Sequence, residues 1–292
     1  MHIKPCQRTR YAPTPSGFLH LGNVYSFALT AVIAKESGCS ILLRIDDMDT
    51  QRAKTDHVQD VFGTLRFLDL PWQEGPRSPE EHNSHFSQQH RLPLYTAALE
   101  QIRSMGHVFA CNCSRSVKPD FPHGCAGDCR SAGISLDTPG VAWRLDTRAA
   151  GNICVNGMNG SMRYEFPQEM NDFVIRRKDG LPAYQLCSLA DDEHFEVDLV
   201  VRGRDLLPST LAQLYLAGLL GYKKFCSAVF VHHRLISDGN GKKMSKSEGA
   251  ESVRYLRNKG SSPGQVFQLM AEKAGLGRIS RWQDFRYLQE DI

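Results

Sequence analysis

The sequence predicts an α/β fold built on a parallel sheet, and three observations carry that prediction. Strand-like and helix-like segments alternate through the first half of the chain, as βαβ units require. "CSILLRID" (39–46) is a nearly continuous apolar run, as expected of a strand buried on both faces. "RYAPTPSGFLHLGN" (10–23) leads a strand through a Pro-rich turn into a helix, and so sets polar residues at a strand's carboxyl end beside a helix N-terminus.

Taken in order, "QRTRYAP" reads as a short first strand. A helix follows from about Asn23 to Ser37, with Val24, Phe27, Ala28, Ala31 and Ala34 on one face and Gly38 to stop it. The "CSILLRID" strand comes next and carries Asp46, Asp47 and Asp49 at its carboxyl end. Helices are predicted over Thr55–Phe67 and Leu92–Met105. From 107 to 160 the texture turns to Cys, Gly, Pro and Ser with little periodicity, which reads as a small inserted lobe. "DFVIRRKDGLPAYQLCSLADD" (172–192) resumes the α/β texture, with a turn at Asp179-Gly180. "FEVDLVVRGRDLL" (195–207) reads as a strand ending at Arg202. The helix "PSTLAQLYLAGLLG" opens at Pro208 and closes at Gly221, "FCSAVFVHHRLI" is another strand, and the tail reads as short amphipathic helices. The expected divisions are 1–106 and 171–241 for the two halves of a catalytic domain, 107–170 for the insertion, and 242–292 for a lysine–serine loop with a helical region.

The 292 residues suffice for a full core, and 41% hydrophobic with 23% charged residues excludes a disordered chain. No run approaches the ~18 apolar residues of a membrane span, and "MHIKPCQRTRYAP" has no apolar signal core, so a cytoplasmic protein is expected. The net charge of +3 says little, but Lys242 to Arg281 holds nine Lys or Arg against three Glu. Such a region suits a phosphate backbone or a solvated helical face. Nine cysteines, an odd number without an export signal, argue against a disulfide framework. Cys6, Cys39, Cys154, Cys187 and Cys226 are expected as packed thiols.

His20 and Gly22 lie where the first predicted helix begins, a place suited to phosphoryl oxygens. Far downstream, "KKMSKSEG" (242–249) sets Lys243 and Lys246 beside Ser245 and Ser247, with Gly239, Gly241 and Gly249 around them. Two cations and two hydroxyls in a Gly-flanked loop suit the developing charge of a phosphoryl or nucleotidyl transfer. The chain has neither G-x-x-x-x-G-K-[ST] nor G-x-G-x-x-G, which argues against a P-loop ATPase or a dinucleotide enzyme.

"HLGN" after a strand, paired with a late "KMSKS", resembles the class I aminoacyl-tRNA synthetases. "RYAPTPSGFLHLGN", "RIDDMDTQR", "LPAYQLCSLADD" and "VVRGRDLL" are similar to their glutamyl branch. With only 45 residues beyond Ser247, the chain resembles the short glutamyl-queuosine tRNA(Asp) synthetase family, which lacks the anticodon-binding region of full glutamyl enzymes. The resemblance implies a Rossmann-type catalytic domain split by the insertion. It also implies a monomer acting on ATP with Mg²⁺, L-glutamate and queuosine-bearing tRNA(Asp). ATP would meet His20, Gly22, Asn23, Lys243, Met244, Ser245, Lys246 and Ser247, with His20, Lys243 and Lys246 as the catalytic groups. Glutamate would meet Arg10, Ala12, Thr14, Asp46, Tyr184 and Arg202. Asp46 stands where the branch usually has glutamate, one methylene longer. Two other readings stay open: the catalytic domain of an ordinary glutamyl-tRNA synthetase, and a catalytically idle tRNA-binding paralogue.

"CNCSRSVKPDFPHGCAGDC" holds Cys111, Cys113, Cys125 and Cys129 at C-x-C-x11-C-x3-C spacing. Four thiolates this close suit one tetrahedral structural Zn²⁺, in a lobe otherwise short of apolar residues. Four reduced cysteines, with His107 or His123 as a substitute ligand, are the alternative. In the short family resembled here, a tyrosine commonly stands where this chain has Cys125.

Overall fold

The computed structural model of the protein describes residues 6–113, 125, 129–236 and 252–285. Its elements in chain order are β1 (Arg8–Tyr11), α1 (Leu21–Ser37), β2 (Ser40–Leu43), α2 (Thr55–Phe67), α3 (Pro79–Glu81) and α4 (Leu92–Ser104). There follow β3 (Val108–Cys111), β4 (Ala142–Leu145), β5 (Ile153–Gly157), β6 (Gly160–Tyr164), β7 (Val174–Arg176) and α5 (Tyr184–His194). The chain continues with β8 (Leu199–Gly203), α6 (Leu207–Leu220), α7 (Lys223–Ser227), β9 (Val229–His233), α8 (Val253–Asn258) and α9 (Pro263–Lys273). It divides into two compact units: Met1–His90 with Val197–Asp205 and Phe230–Ile292, and Arg91–Glu196 with Leu206–Val229.

In the first unit β1 and β2 pair in parallel, from Arg8 opposite Ser40 to Tyr11 opposite Leu43. Asp198 sets β8 beside β1, because its carboxylate accepts from the Gln7 and Arg8 N–H groups at 2.8 and 2.9 Å. The ladder continues past β2, where Arg44 N–H donates to Tyr11 O and Asp46 N–H to Pro13 O. Two widely separated loops, 12–14 and 44–46, are thereby held side by side at the carboxyl ends of the strands.

Helix α1 covers this sheet. The sequence predicts one apolar face, yet eleven of its residues are buried, including Leu29, Val32 and Ile33 outside that face. A helix apolar nearly all round is a core helix, and α9, with Val266, Phe267 and Met270, joins the same cluster. Gly38 ends α1 in the left-handed region at φ 72°, as its sequence position predicts.

In the second unit the Gly- and Cys-rich stretch is not irregular. β3, β4 and β7 form an antiparallel sheet, and β5 and β6 form a hairpin. Helices α4 and α5 are tied by Asp191, which is fully buried. It receives Arg91 Nε at 2.6 Å, Arg91 Nη2 at 2.9 Å and the Tyr95 hydroxyl at 2.7 Å.

Four of the five packed-thiol expectations are corrected. Cys6 and Cys39 form a disulfide, with Cα atoms 5.3 Å apart, joining the residue ahead of β1 to the turn after Gly38. Cys154 and Cys226 are exposed free thiols, and only Cys187 is buried as expected. β5 and α7 put their cysteines on solvent faces, a placement that apolar neighbours in sequence do not reveal. Among the described residues, no helix is long and apolar enough to cross a membrane.

Candidate active site and metal centre

His20 is the N-cap of α1, in extended conformation at φ −114° and ψ 173°. Its Nδ1 accepts from the Gly22 N–H at 3.1 Å, and the Asn23 Oδ1 accepts from the His20 N–H at 3.0 Å. This reciprocal cap satisfies two of the N–H groups that a helix start leaves over. It also decides the tautomer: a neutral imidazole accepting at Nδ1 carries its proton on Nε2. His20 therefore presents one N–H donor at the positive end of an 17-residue helix.

Gly22 serves this arrangement directly. A Cβ built there would lie 2.9 Å from His20 Cε1 and 3.0 Å from Nδ1, so any side chain would push the ring out of its cap. Ser252 pairs with His20 in an isolated bridge, and Val253 N–H donates to Leu19 O at 2.8 Å. The chain thus re-enters the described structure directly on His20. Lys243, Met244, Ser245, Lys246 and Ser247 lie outside the described residues.

The amino-acid candidates of the first unit gather at the ends of β1, β2 and β8. Arg10 and Arg202 are both buried, and Arg10 Nη1 donates to Val201 O at 3.4 Å. Burial, the Arg202 charge and the neighbouring His233 together push the His232 imidazole down to about 3, so His232 is neutral at physiological pH. Arg202 itself lies over the Phe230 ring at 5.5 Å. Ala12 is half-buried and Thr14 exposed, on the loop whose Pro13 O is bonded by Asp46 N–H. Asp46 is gripped by Arg44, with Nε 2.7 Å from Oδ1 and Nη2 3.1 Å from Oδ2. Tyr184 belongs to the other unit, where it opens α5 with 44% exposure.

A second network was not legible in the sequence. Asp47 accepts from Ser87 Oγ at 2.7 Å, from Gln88 N–H at 2.8 Å and from His82 Nε2 at 3.0 Å. His82 is fully buried and opens a π-helical turn, His82–Phe86. Burial raises the Asp47 carboxyl, but the three hydrogen bonds and the His82 charge outweigh it and hold the group below its ordinary value. The Gln88 side chain also accepts from Met48 N–H at 2.8 Å. Residues 82–88 therefore brace the loop that carries Asp46. Their separation of 35 to 41 residues from Asp47 leaves no local signal.

In the second unit the Sγ atoms of Cys111, Cys113, Cys125 and Cys129 all lie within 4.8 Å of one another. Cys113 Sγ is 3.8 Å from Cys125 Sγ and 3.3 Å from Cys129 Sγ. A zinc tetrahedron with Zn–S bonds of about 2.3 Å has edges of about 3.8 Å, so the four sulfurs fit that ion's donor set. Burial and the adjoining thiols push Cys129 up to about 12. Burial also raises Cys111, against a hydrogen bond and charge from Arg144. Metal loading therefore has to displace protons.

The family model described as "tRNA synthetases class I (E and Q), catalytic domain" matches residues 7–117 and 144–276. The chain belongs to this family. Among curated relatives, the glutamyl-Q tRNA(Asp) synthetase of Nocardia farcinica is 36% identical over 280 residues, covering 91% of this chain and 84% of the relative. The protein of the same name from Pseudomonas aeruginosa PAO1 is 32% identical, covering 95% of this chain and 94% of its own. Glutamate–tRNA ligase 2 of Syntrophus aciditrophicus is 31% identical over 279 residues, and there the chain spans only 56% of the relative's length. The glutamate-tRNA synthetase structure from Elizabethkingia anophelis superposes with a TM-score of 0.74 at 23% identity, over 91% of this chain and 61% of that one. That likeness establishes the class I synthetase catalytic fold, with its parallel sheet and covering helices.

Proposed function

We propose that the protein activates L-glutamate with ATP in the absence of tRNA, then transfers the glutamyl group to queuosine in the anticodon loop of tRNA(Asp). The observation that carries the activation step is the His20 cap, in which Nδ1 accepts from the Gly22 N–H and the ring proton sits on Nε2 at a helix N-terminus. The acceptor is taken from the name shared by relatives that match this chain over nearly their whole length.

In the first step a glutamate carboxylate oxygen bonds to the α-phosphorus of ATP while the bond to pyrophosphate breaks. His20 donates to a non-bridging oxygen, and Lys243 and Lys246 place positive charge on the same group. Ser245, Ser247 and Met244 close around the nucleotide, and Gly22 and Asn23 hold the His20 ring in position. Mg²⁺ accompanying ATP would offset the charge of its phosphates. Arg10 and Arg202 suit the two carboxylates of glutamate, because each offers a planar fork of donors. Ala12 and Thr14 border that pocket, Asp46 faces the ammonium, and Tyr184 contributes a hydroxyl. In the second step a cyclopentenediol hydroxyl of queuosine attacks the acyl carbon and AMP leaves. Cys111, Cys113, Cys125 and Cys129 would hold one Zn²⁺ that closes the polar lobe, with no part in either step. A monomeric, cytoplasmic protein completes the reading.

Pyrophosphate exchange tests the first step. Exchange that requires glutamate and proceeds without tRNA supports the proposal. The likeness to glutamate–tRNA ligase 2 favours a second reading, charging of tRNA(Glu), and strict dependence of exchange on tRNA would select it. No exchange with any amino acid would overturn both.

A further inference from the structure

Fixed positive side chains surround the four-cysteine cluster. β3 and β4 run antiparallel with Phe109 opposite Arg144 and Cys111 opposite Ala142, so Arg144 projects from the same face as Cys111, two pairs along. Arg144 is buried, and its Nη1 donates to Asp172 O at 2.7 Å. Lys178 Nζ donates to the main-chain oxygen of Asn112, between two of the cysteines, at 2.7 Å. Arg130 lies over the Phe109 ring at 4.8 Å, and Phe109 packs in one apolar cluster with Cys111, Cys125 and Cys129. Asp146 and Asp172 both pair with Arg130.

The charge of the centre explains why such cations matter. A divalent ion held by four thiolates carries a net double negative charge, and a buried charge is costly unless neighbouring charge or donors offset it. Arg130 already has carboxylate partners, and Lys178 bonds the Asn112 carbonyl rather than a sulfur. Arg144 is the cation that the β3–β4 register sets on the face of Cys111, and the Asp172 oxygen holds its guanidinium. We infer that Arg144 is a positioning residue of the metal centre: it orients Cys111 as a ligand, offsets the charge of an all-thiolate site, and thereby sets the affinity for a soft divalent ion. This rests on the metal-binding reading of the four cysteines.

The test uses the full chain, stripped of metal under reducing conditions, as wild type, Arg144→Met and Arg144→Lys. Zinc affinity is read by competition with a chromophoric chelator, and Co²⁺ loading by its sulfur-to-metal charge-transfer absorption. Loss of an outer partner of a ligand typically weakens metal binding by about 10- to 100-fold. Arg144→Met is expected to show that loss, Arg144→Lys to recover part of it, and both to keep the full charge-transfer intensity at saturating Co²⁺. Unchanged zinc affinity in Arg144→Met would overturn the inference while leaving the metal reading intact. Reduced charge-transfer intensity at saturation would also overturn it, by making Arg144 a residue that folds the lobe. Wild-type protein that binds no zinc would remove the metal reading itself, and the inference with it.

Discussion

Arg44 grips Asp46 through two parallel hydrogen bonds of 2.7 and 3.1 Å, both side chains being almost wholly buried at 1% and 5% exposure. A fork of this kind fixes the carboxylate in plane and direction. Where the glutamyl branch uses a longer side chain, this chain has a shorter one held rigidly by its neighbour. Breaking a buried pair strands a charge and costs about 3–5 kcal/mol. Arg44→Met should lower stability by that amount in urea, and the Arg44→Met/Asp46→Asn double variant should lose less than the sum of the two singles. Strict additivity would contradict the pairing.

Gly22→Ala tests the His20 geometry without touching the imidazole chemistry. The added methyl would meet the ring at 2.9 Å, and the ring, being a side chain, can swing away. Folding should be preserved, since alanine is a good helix residue. Pyrophosphate exchange should fall about 100-fold, as expected when a donor to developing charge is displaced. His20→Ala should fall at least as far. Equal activity of Gly22→Ala and wild type would remove His20 from the first step.

Asp47 gives the stability curve an acid limb. Its folded carboxyl lies below the ordinary value of 3.8, so its contribution is fully present above that value and is lost as pH falls through the folded one. Asp47→Asn should therefore show a flatter loss of stability below about pH 4 than wild type. At neutral pH it should be less stable by a few kcal/mol, because His82, Ser87 and the Gln88 N–H lose a charged acceptor. Matching acid limbs in urea titrations at stepped pH would contradict this account.

Chelation should act on one lobe. Stripping metal from the four-cysteine cluster should raise hydrogen exchange in β3 and β4, which carry or flank the ligands, and leave α1 and β1 protected. Reloading should weaken as pH falls, because the thiols, Cys129 raised to about 12 among them, must give up their protons. Protection that does not depend on metal would show a lobe folded by its own core.

The parts of the fold that were legible in the sequence are those with strong local pattern. Helix α2 occupies the predicted Thr55–Phe67, α4 ends one residue short of prediction, and Arg202 stands one residue before the end of β8. The hairpin of the second unit was not legible, because β6 is exposed along nearly all of its length and its sequence carries no apolar alternation. His20 was read correctly as lying at a helix start, but its role as the cap emerges only from the Gly22 N–H and the Asn23 side chain. The Asp47–His82–Ser87 network and the placement of Arg144 on the face of Cys111 depend on residues at least 33 positions apart, which no spacing rule reaches.

Glutamate transfer to tRNA(Asp), measured in parallel on queuosine-containing and queuosine-free transcripts, tests the central claim most directly. The account predicts stable attachment of glutamate only to the modified tRNA, after activation that needs no tRNA. Equal charging of both tRNAs, or charging confined to the 3′ end of tRNA(Glu), would contradict it.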